Sequence, residues 1–358
     1  MEPKSSDLTD PEVGIFTRCR EWTDLFPWLR YGRLMRLVAA PSLTVMTAFT
    51  LLIWQQGAVW LLDGAVVFNW PQQARVDTFS NFKVLSVISE AAFKLHPASL
   101  FIVSEDQALS LRLIAASLWT ILIWIIPALV LVRQGIMLTA GRSLESFPLT
   151  VSIAKSRLLQ AGSVVGAVLL GPLLMTFGIW LVSWFHQTLT SLDFLLGWPC
   201  AIALFILSFA GGLLVLMSYF VIPLALAAIT AEPHPDVFDA ISRGYESCLR
   251  RPLRLLSYLL VLSLLLFATF VISNALVSCS NSLLRLFMSP GHFAQEGNSL
   301  VVALRFLPSV FVITLAWGSM GTFYLLLRKD ACEQEIEDIW FSSPAPTIAL
   351  PKVTVNDE

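Results

Sequence analysis

Residues 194–231, FLLGWPCAIALFILSFAGGLLVLMSYFVIPLALAAITA, run for 38 positions without one Asp, Glu, Lys or Arg. A helix crosses the hydrocarbon of a bilayer in about 20 apolar residues, so this stretch alone asks for a membrane. Working outward, charge-free runs of bilayer length recur at Leu37 to Leu62 (26 residues), Leu113 to Val132 (20), Leu158 to Leu192 (35), Leu255 to Leu284 (30) and Phe306 to Leu327 (22). Of the chain's 358 residues 56% are hydrophobic and 13% charged, with mean hydropathy +0.74. A soluble domain carries about 25% charged residues, so the polar coat of a globule is missing. The expected fold is all-α, a polytopic transmembrane bundle of six spans at about 37–62, 110–132, 162–188, 198–229, 255–280 and 304–327. The 38-residue run counts as one span, because two crossings plus a turn need more length and Gly211-Gly212 is closely flanked by apolar residues.

Loop charge gives the orientation, since basic residues gather on the cytoplasmic side. With a cytoplasmic N-terminus, 17 of the 23 Lys and Arg fall inside and 6 outside. A seventh span would carry Arg243, Arg250, Arg251 and Arg254 outside and spoil this asymmetry. Both termini are therefore expected in the cytoplasm, with residues 1–34 a polar arm, 35–329 the membrane domain and 330–358 an acidic, partly disordered tail. The first 36 residues mix acids and bases and lack the short apolar core of a signal peptide. Trp54, Trp60, Trp180, Trp184 and Trp198 map to the outer interface, where amphipathic rings anchor. Trp119, Trp124 and Trp317 map deeper and are expected to fill space.

From Asp236 to Arg251 the apolar residues Val237, Phe238, Ile241, Tyr245, Cys248 and Leu249 recur at helical spacing, with Arg243, Glu246, Arg250 and Arg251 opposite. Such a helix is expected to be amphipathic and to lie in the inner interface. Arg243, Arg250, Arg251 and Arg254 then face anionic lipid headgroups. Weaker versions of the same plan precede span 3, at Pro148 to Arg157, and span 1, at Pro27 to Arg36. Val76 to Leu95 is expected to form a further amphipathic helix on the outer surface.

The stretch Ala240-Ile-Ser-Arg-Gly-Tyr-Glu, followed by Arg251-Pro-Leu-Arg-Leu-Leu-Ser-Tyr258 and preceded by the Arg133 to Arg157 loop, resembles a group of bacterial six-span membrane proteins of uncharacterised role. The resemblance runs over roughly residues 110–280 and consists of an interfacial helix, Arg-Pro and a span. It implies the cytoplasmic (inner) membrane of a bacterium and carries over no functional residue.

Catalysis finds little footing. The charge-free runs by definition hold no Asp, Glu, Lys or Arg, the groups that mark proton paths and intramembrane active sites. HExxH, GxSxG, the P-loop and GxGxxG are all absent. Gly318-Ser-Met-Gly321 is expected to mark close helix packing, as is Gly162-xxx-Gly166. His96, His186 and His292 map to the outer side as ordinary exposed histidines, and the five cysteines lack metal spacing, so no metal or cofactor is expected. Cys200 and Cys279 fall at similar outer depth, which leaves a disulfide and two free thiols both open. The net charge of −2, with bases spread along the chain, speaks against nucleic acid. One polar stripe stands out in span 5, Asn274, Ser278 and Asn281, which should face protein or water rather than lipid. Pro127, Gly171-Pro172, Pro223 and Pro308 interrupt spans as they do in some transporters.

Two functions fit these features. Dry spans and interfacial helices favour a non-enzymatic factor that organises or assembles membrane components, in contact with the bilayer and with other membrane proteins or a second copy. The span 5 stripe and the prolines favour a permease for a small or amphipathic solute.

Overall fold

The computed structural model describes residues 26–61, 96, 111–188, 193–233, 236–287, 298–332, 336 and 339–340. Among them every regular element is helical. A 3-10 stretch, Pro27–Leu34, runs into α1 (Met35–Val38), followed by α2 (Pro41–Leu61) and α3 (Leu111–Thr139). Then come α4 (Phe147–Ser156), α5 (Leu158–Thr188), α6 (Asp193–Ala231), α7 (Val237–Arg250), α8 (Pro252–Phe287) and α9 (Asn298–Cys332). Five stretches are long and apolar enough to cross a membrane: Ile114–Thr139, Leu158–Thr188, Gly197–Ala231, Pro252–Leu284 and Phe306–Asp330. A sixth is added if Pro27–Val38 and Pro41–Ala58, which meet at 77°, count as one span.

That bend corrects the reading of the first apolar run as a straight span from Leu37. Pro41 has no N–H to continue the ladder and its ring disfavours a helical residue before it, so the chain turns at Ala39-Ala40. Tyr31, Leu34 and Leu37 then point into the core, while Phe26, Trp28, Leu29 and Met35 stay exposed. The other prolines break nothing. Pro127, Pro172, Pro199, Pro223 and Pro308 all lie inside continuous helices, and the carbonyl of Pro172 accepts the Thr176 hydroxyl at 2.6 Å.

The last helix is the central pillar. In the most apolar 18-residue window of α9, 78% of the residues are buried, against 11% in α6. It crosses α3 with backbone against backbone. A methyl built on Gly135 would stand 1.9 Å from the Gly318 carbonyl oxygen, and one on Gly321 would stand 2.5 Å from that of Val132. Small-residue packing of this kind replaces the hydrophobic effect, which lipid cannot supply between helices. Gly162 and Gly166 do otherwise: a methyl on Gly166 would meet nothing within 4 Å, so this pair makes no close crossing in the chain.

Several buried polar groups in the bundle pair with one another. Thr47 and Thr314 hydroxyls meet at 3.0 Å, those of Thr139 and Thr322 at 2.5 Å, and the Trp54 indole donates to Thr120 at 2.9 Å. Trp54 is thus a core residue at 1% exposure, packed with Leu51, Trp124, Val310 and Ile313, and not the interface anchor expected of it. Trp60, Trp180, Trp184 and Trp198 are exposed, as amphipathic anchors require. His96 corrects a second expectation, for it is buried and its ring stacks on Tyr219 of α6 with centroids 4.2 Å apart. Cys200 and Cys279 are both free, the first buried and the second exposed, so the disulfide option falls away. The Val76 to Leu95 helix and the polar arm up to residue 25 lie outside the described residues.

Candidate functional site at the arginine-rich end

α6 packs against α3, α5, α7 and α9, and its last turn meets Arg133 of α3 and Arg157. The three last carbonyls of α6 have no intrahelical donor and carry the negative pole of a 39-residue helix. Each finds one donor. The Ile229 carbonyl accepts from Arg157, that of Thr230 accepts from Arg133 at 2.8 Å, and that of Ala231 accepts the backbone N–H of Trp340 at 3.0 Å.

Arg133 lies one turn and a half before the end of α3 and is 1% exposed. Its fork closes on Glu145, Nη2 to Oε1 at 2.8 Å and Nε to Oε2 at 3.2 Å. Gln134 fastens the same loop from beside it. Its amide donates to the Glu145 carbonyl at 2.9 Å and to Thr150 at 2.8 Å, while its oxygen accepts the Glu145 N–H at 3.1 Å. Arg157, between α4 and α5, is 5% exposed. Burial, and after it the neighbouring Arg133 guanidinium, lower its pKa to about 10, so at neutral pH it is still a cation.

Between these two arginines sits Trp340. The Arg157 guanidinium carbon is 4.6 Å from the indole centroid and that of Arg133 is 5.1 Å away, so one ring faces two cations. Ile336 and Ile339 are buried in the main core alongside it. Through these contacts Ile336, Ile339 and Trp340 of the acidic segment dock on the bundle. The missed signal is the i, i+3, i+4 spacing of Ile336, Ile339 and Trp340 among acids.

The arginines assigned to headgroups lie around this centre, and most hold acids. Arg243 pairs with Glu232 and, at 2.8 Å, with Asp239; Arg250 pairs with Glu246 at 2.7 Å; Arg254 pairs with Asp330, which also accepts the Tyr258 hydroxyl at 2.9 Å. Arg251 is exposed and has no acidic partner among the described residues. α7 itself has three faces. Ala240, Gly244, Ser247 and Cys248 are buried, with Gly244 brought against Val221 of α6. Phe238 and Leu249 are exposed on another, and the charges take the third. Cys248, expected on the outward apolar face, belongs to the packed one, and burial pushes its thiol up to about 12.

The span 5 stripe is only half-buried. Asn274 donates back to the Phe270 carbonyl at 3.0 Å, Ser278 is partly exposed, and the Asn281 carboxamide oxygen is buried without a hydrogen-bond partner. The deeper positions of this helix are Phe270, Ser273 and Val277. The stripe and the arginine-rich end are separate features. Among the described residues no three His, Cys, Asp or Glu come together to hold a metal. Chemically, the arginine-rich end offers fixed cations and a protonated thiol, suited to holding an anion or a chain segment. Set against protein-family models, curated proteins and solved structures, the chain matches none.

Proposed function

We propose that this protein is a six-span component of a bacterial cytoplasmic (inner) membrane, with both termini inside, that organises or assembles other membrane components without catalysis. Six spans are reached if the bent pair before and in α2 counts as the first, and the 17 to 6 division of basic residues supports this orientation. One observation carries the role. The charges of the arginine-rich end hold the chain's own segments: Arg133 holds Glu145 and Thr230, Arg243 holds Glu232 and Asp239, and Arg254 holds Asp330. Charges used in this way make a rigid platform. Around it, exposed Phe238, Leu249 and Leu253 with Arg251 offer an apolar and basic rim to anionic lipid.

A permease is the second reading, favoured by the Asn281 oxygen and by the Ser309 hydroxyl, both buried without hydrogen-bond partners. Such atoms cost about 1–3 kcal/mol each, which a bound solute would offset. Thermal unfolding of the purified protein against panels of solutes and of phospholipids separates the two. The organiser is stabilised by phospholipid alone; a rise of several degrees with one solute, lost in Asn281→Ala, replaces it with the permease.

A further inference from the structure

Of the two arginines around Trp340, one holds a carboxylate. Glu145 gives both oxygens to Arg133. Arg157 is left with the Ile229 carbonyl and the face of the indole, and meets no acid among the described residues. Among the described residues, Glu232 is held by Arg243 and Asp330 by Arg254. A buried cation that meets, among the described residues, a carbonyl and a ring but no carboxylate is an unfinished site.

We propose that Arg157 and Arg133 form an anion-binding site that Trp340 closes: a phosphate group, on a lipid headgroup or free in solution, replaces the indole and releases Ile336, Ile339 and Trp340. A ring face attracts a guanidinium through its quadrupole alone, whereas a phosphate offers charge and a matching pair of acceptor oxygens. The indole is larger than a phosphate group, so the space it leaves is sufficient. Releasing it disturbs no long helix, because Trp340 is itself half-exposed and follows the end of α9. Arg157 directly precedes the apolar run Leu158–Thr188, at the level where headgroups of a bilayer lie.

The test uses the full-length protein in maltoside micelles, which contain no phosphate. Amide exchange is followed in the peptide covering residues 336–340, where the Trp340 N–H is held by Ala231. Inorganic phosphate, phosphatidic acid mixed into the micelle, and sodium chloride at matched ionic strength are compared. Exchange rises about tenfold with at least one phosphate source and not with chloride, as a local opening driven by a ligand requires. Response to inorganic phosphate identifies a free anion, and response to phosphatidic acid alone identifies a headgroup. No response to either source, or an equal response to chloride, overturns the proposal. Arg157→Gln abolishes the response, and Arg157→Lys restores part of it. Should Arg157→Gln not fold, Trp340→Ala decides: removing the competitor raises phosphate affinity about tenfold by calorimetry, and unchanged affinity refutes the site.

Discussion

Replacing Glu145 by Gln removes one charge from the buried pair and almost nothing else. The carboxylate is 8% exposed and takes two of the Arg133 hydrogen bonds, at 2.8 and 3.2 Å, while Thr230 takes a third. In the variant Arg133 and Arg157 face the same indole with no carboxylate on Arg133. Breaking a buried pair by removing one partner costs about 3–5 kcal/mol. The Thr230 carbonyl and the ring stay in place, so the low end, about 3 kcal/mol, applies here. Removing both charges is different, because the cost of desolvating them goes too. Arg133→Met with Glu145→Leu is therefore expected within about 1 kcal/mol of the wild type, and with a loss of about 3 kcal/mol in each single variant the cycle shows a coupling of about 5 kcal/mol. Reversible unfolding by dodecyl sulfate titration in mixed micelles measures the wild type, Glu145→Gln, Arg133→Met, Glu145→Leu and the double variant. A Glu145→Gln loss under about 0.5 kcal/mol, the size seen for exposed pairs, would refute burial of the pair. So would a double variant as unstable as the single.

Gly135→Ala must push α3 from α9, since its methyl would overlap the Gly318 carbonyl, and is expected to cost about 1–3 kcal/mol in the same titration. Gly166→Ala meets open space and should be neutral or stabilising by up to about 1 kcal/mol; equal losses for the two would contradict the crossing. Maleimide added to the native protein without reductant should modify Cys279 and spare buried Cys200 and Cys248 until denaturant is added, and mass spectrometry of a Cys200–Cys279 disulfide peptide would refute the free thiols. Arg251→Gln should reduce co-purifying anionic phospholipid about fivefold, the equivalent of about 1 kcal/mol. Arg243→Gln should leave lipid unchanged, because Glu232 and Asp239 already hold that side chain, and the reverse ranking by native mass spectrometry would sink the assignment.

The long apolar helices were legible because bilayer length leaves a signal that neighbours cannot erase: 38 residues without charge admit few other structures. The Gly318 and Gly321 spacing was read as close packing and is so, whereas the same signal failed at Gly162 and Gly166, where a methyl finds room. Three things were hidden. Arg133 and Arg157 look solvated in sequence, and only the convergence of α6 carbonyls, Glu145 and Trp340 compensates their burial. Trp340 looks like tail because acids surround it, although its spacing from Ile336 and Ile339 matches one helical face. The bend at Ala39-Ala40 is masked by apolar residues on both sides, with Pro41 its single local mark. Long-range pairing thus decided what composition could not: which charges go inside, and which tryptophan anchors rather than packs.

Everything proposed for lipid, phosphate and partners depends on the arginine-rich end facing the cytoplasm. Cysteine scanning on a cysteine-free background tests this directly, with an impermeant thiol reagent added to spheroplasts before and after permeabilisation. Ser143, exposed in the loop after α3, should react once introduced as cysteine only after permeabilisation, as should Ser343. Ser104 and Ser289, in the connections assigned to the outer side, should react at once. Labelling at Ser143 in sealed spheroplasts would contradict the orientation and, with it, the six-span arrangement.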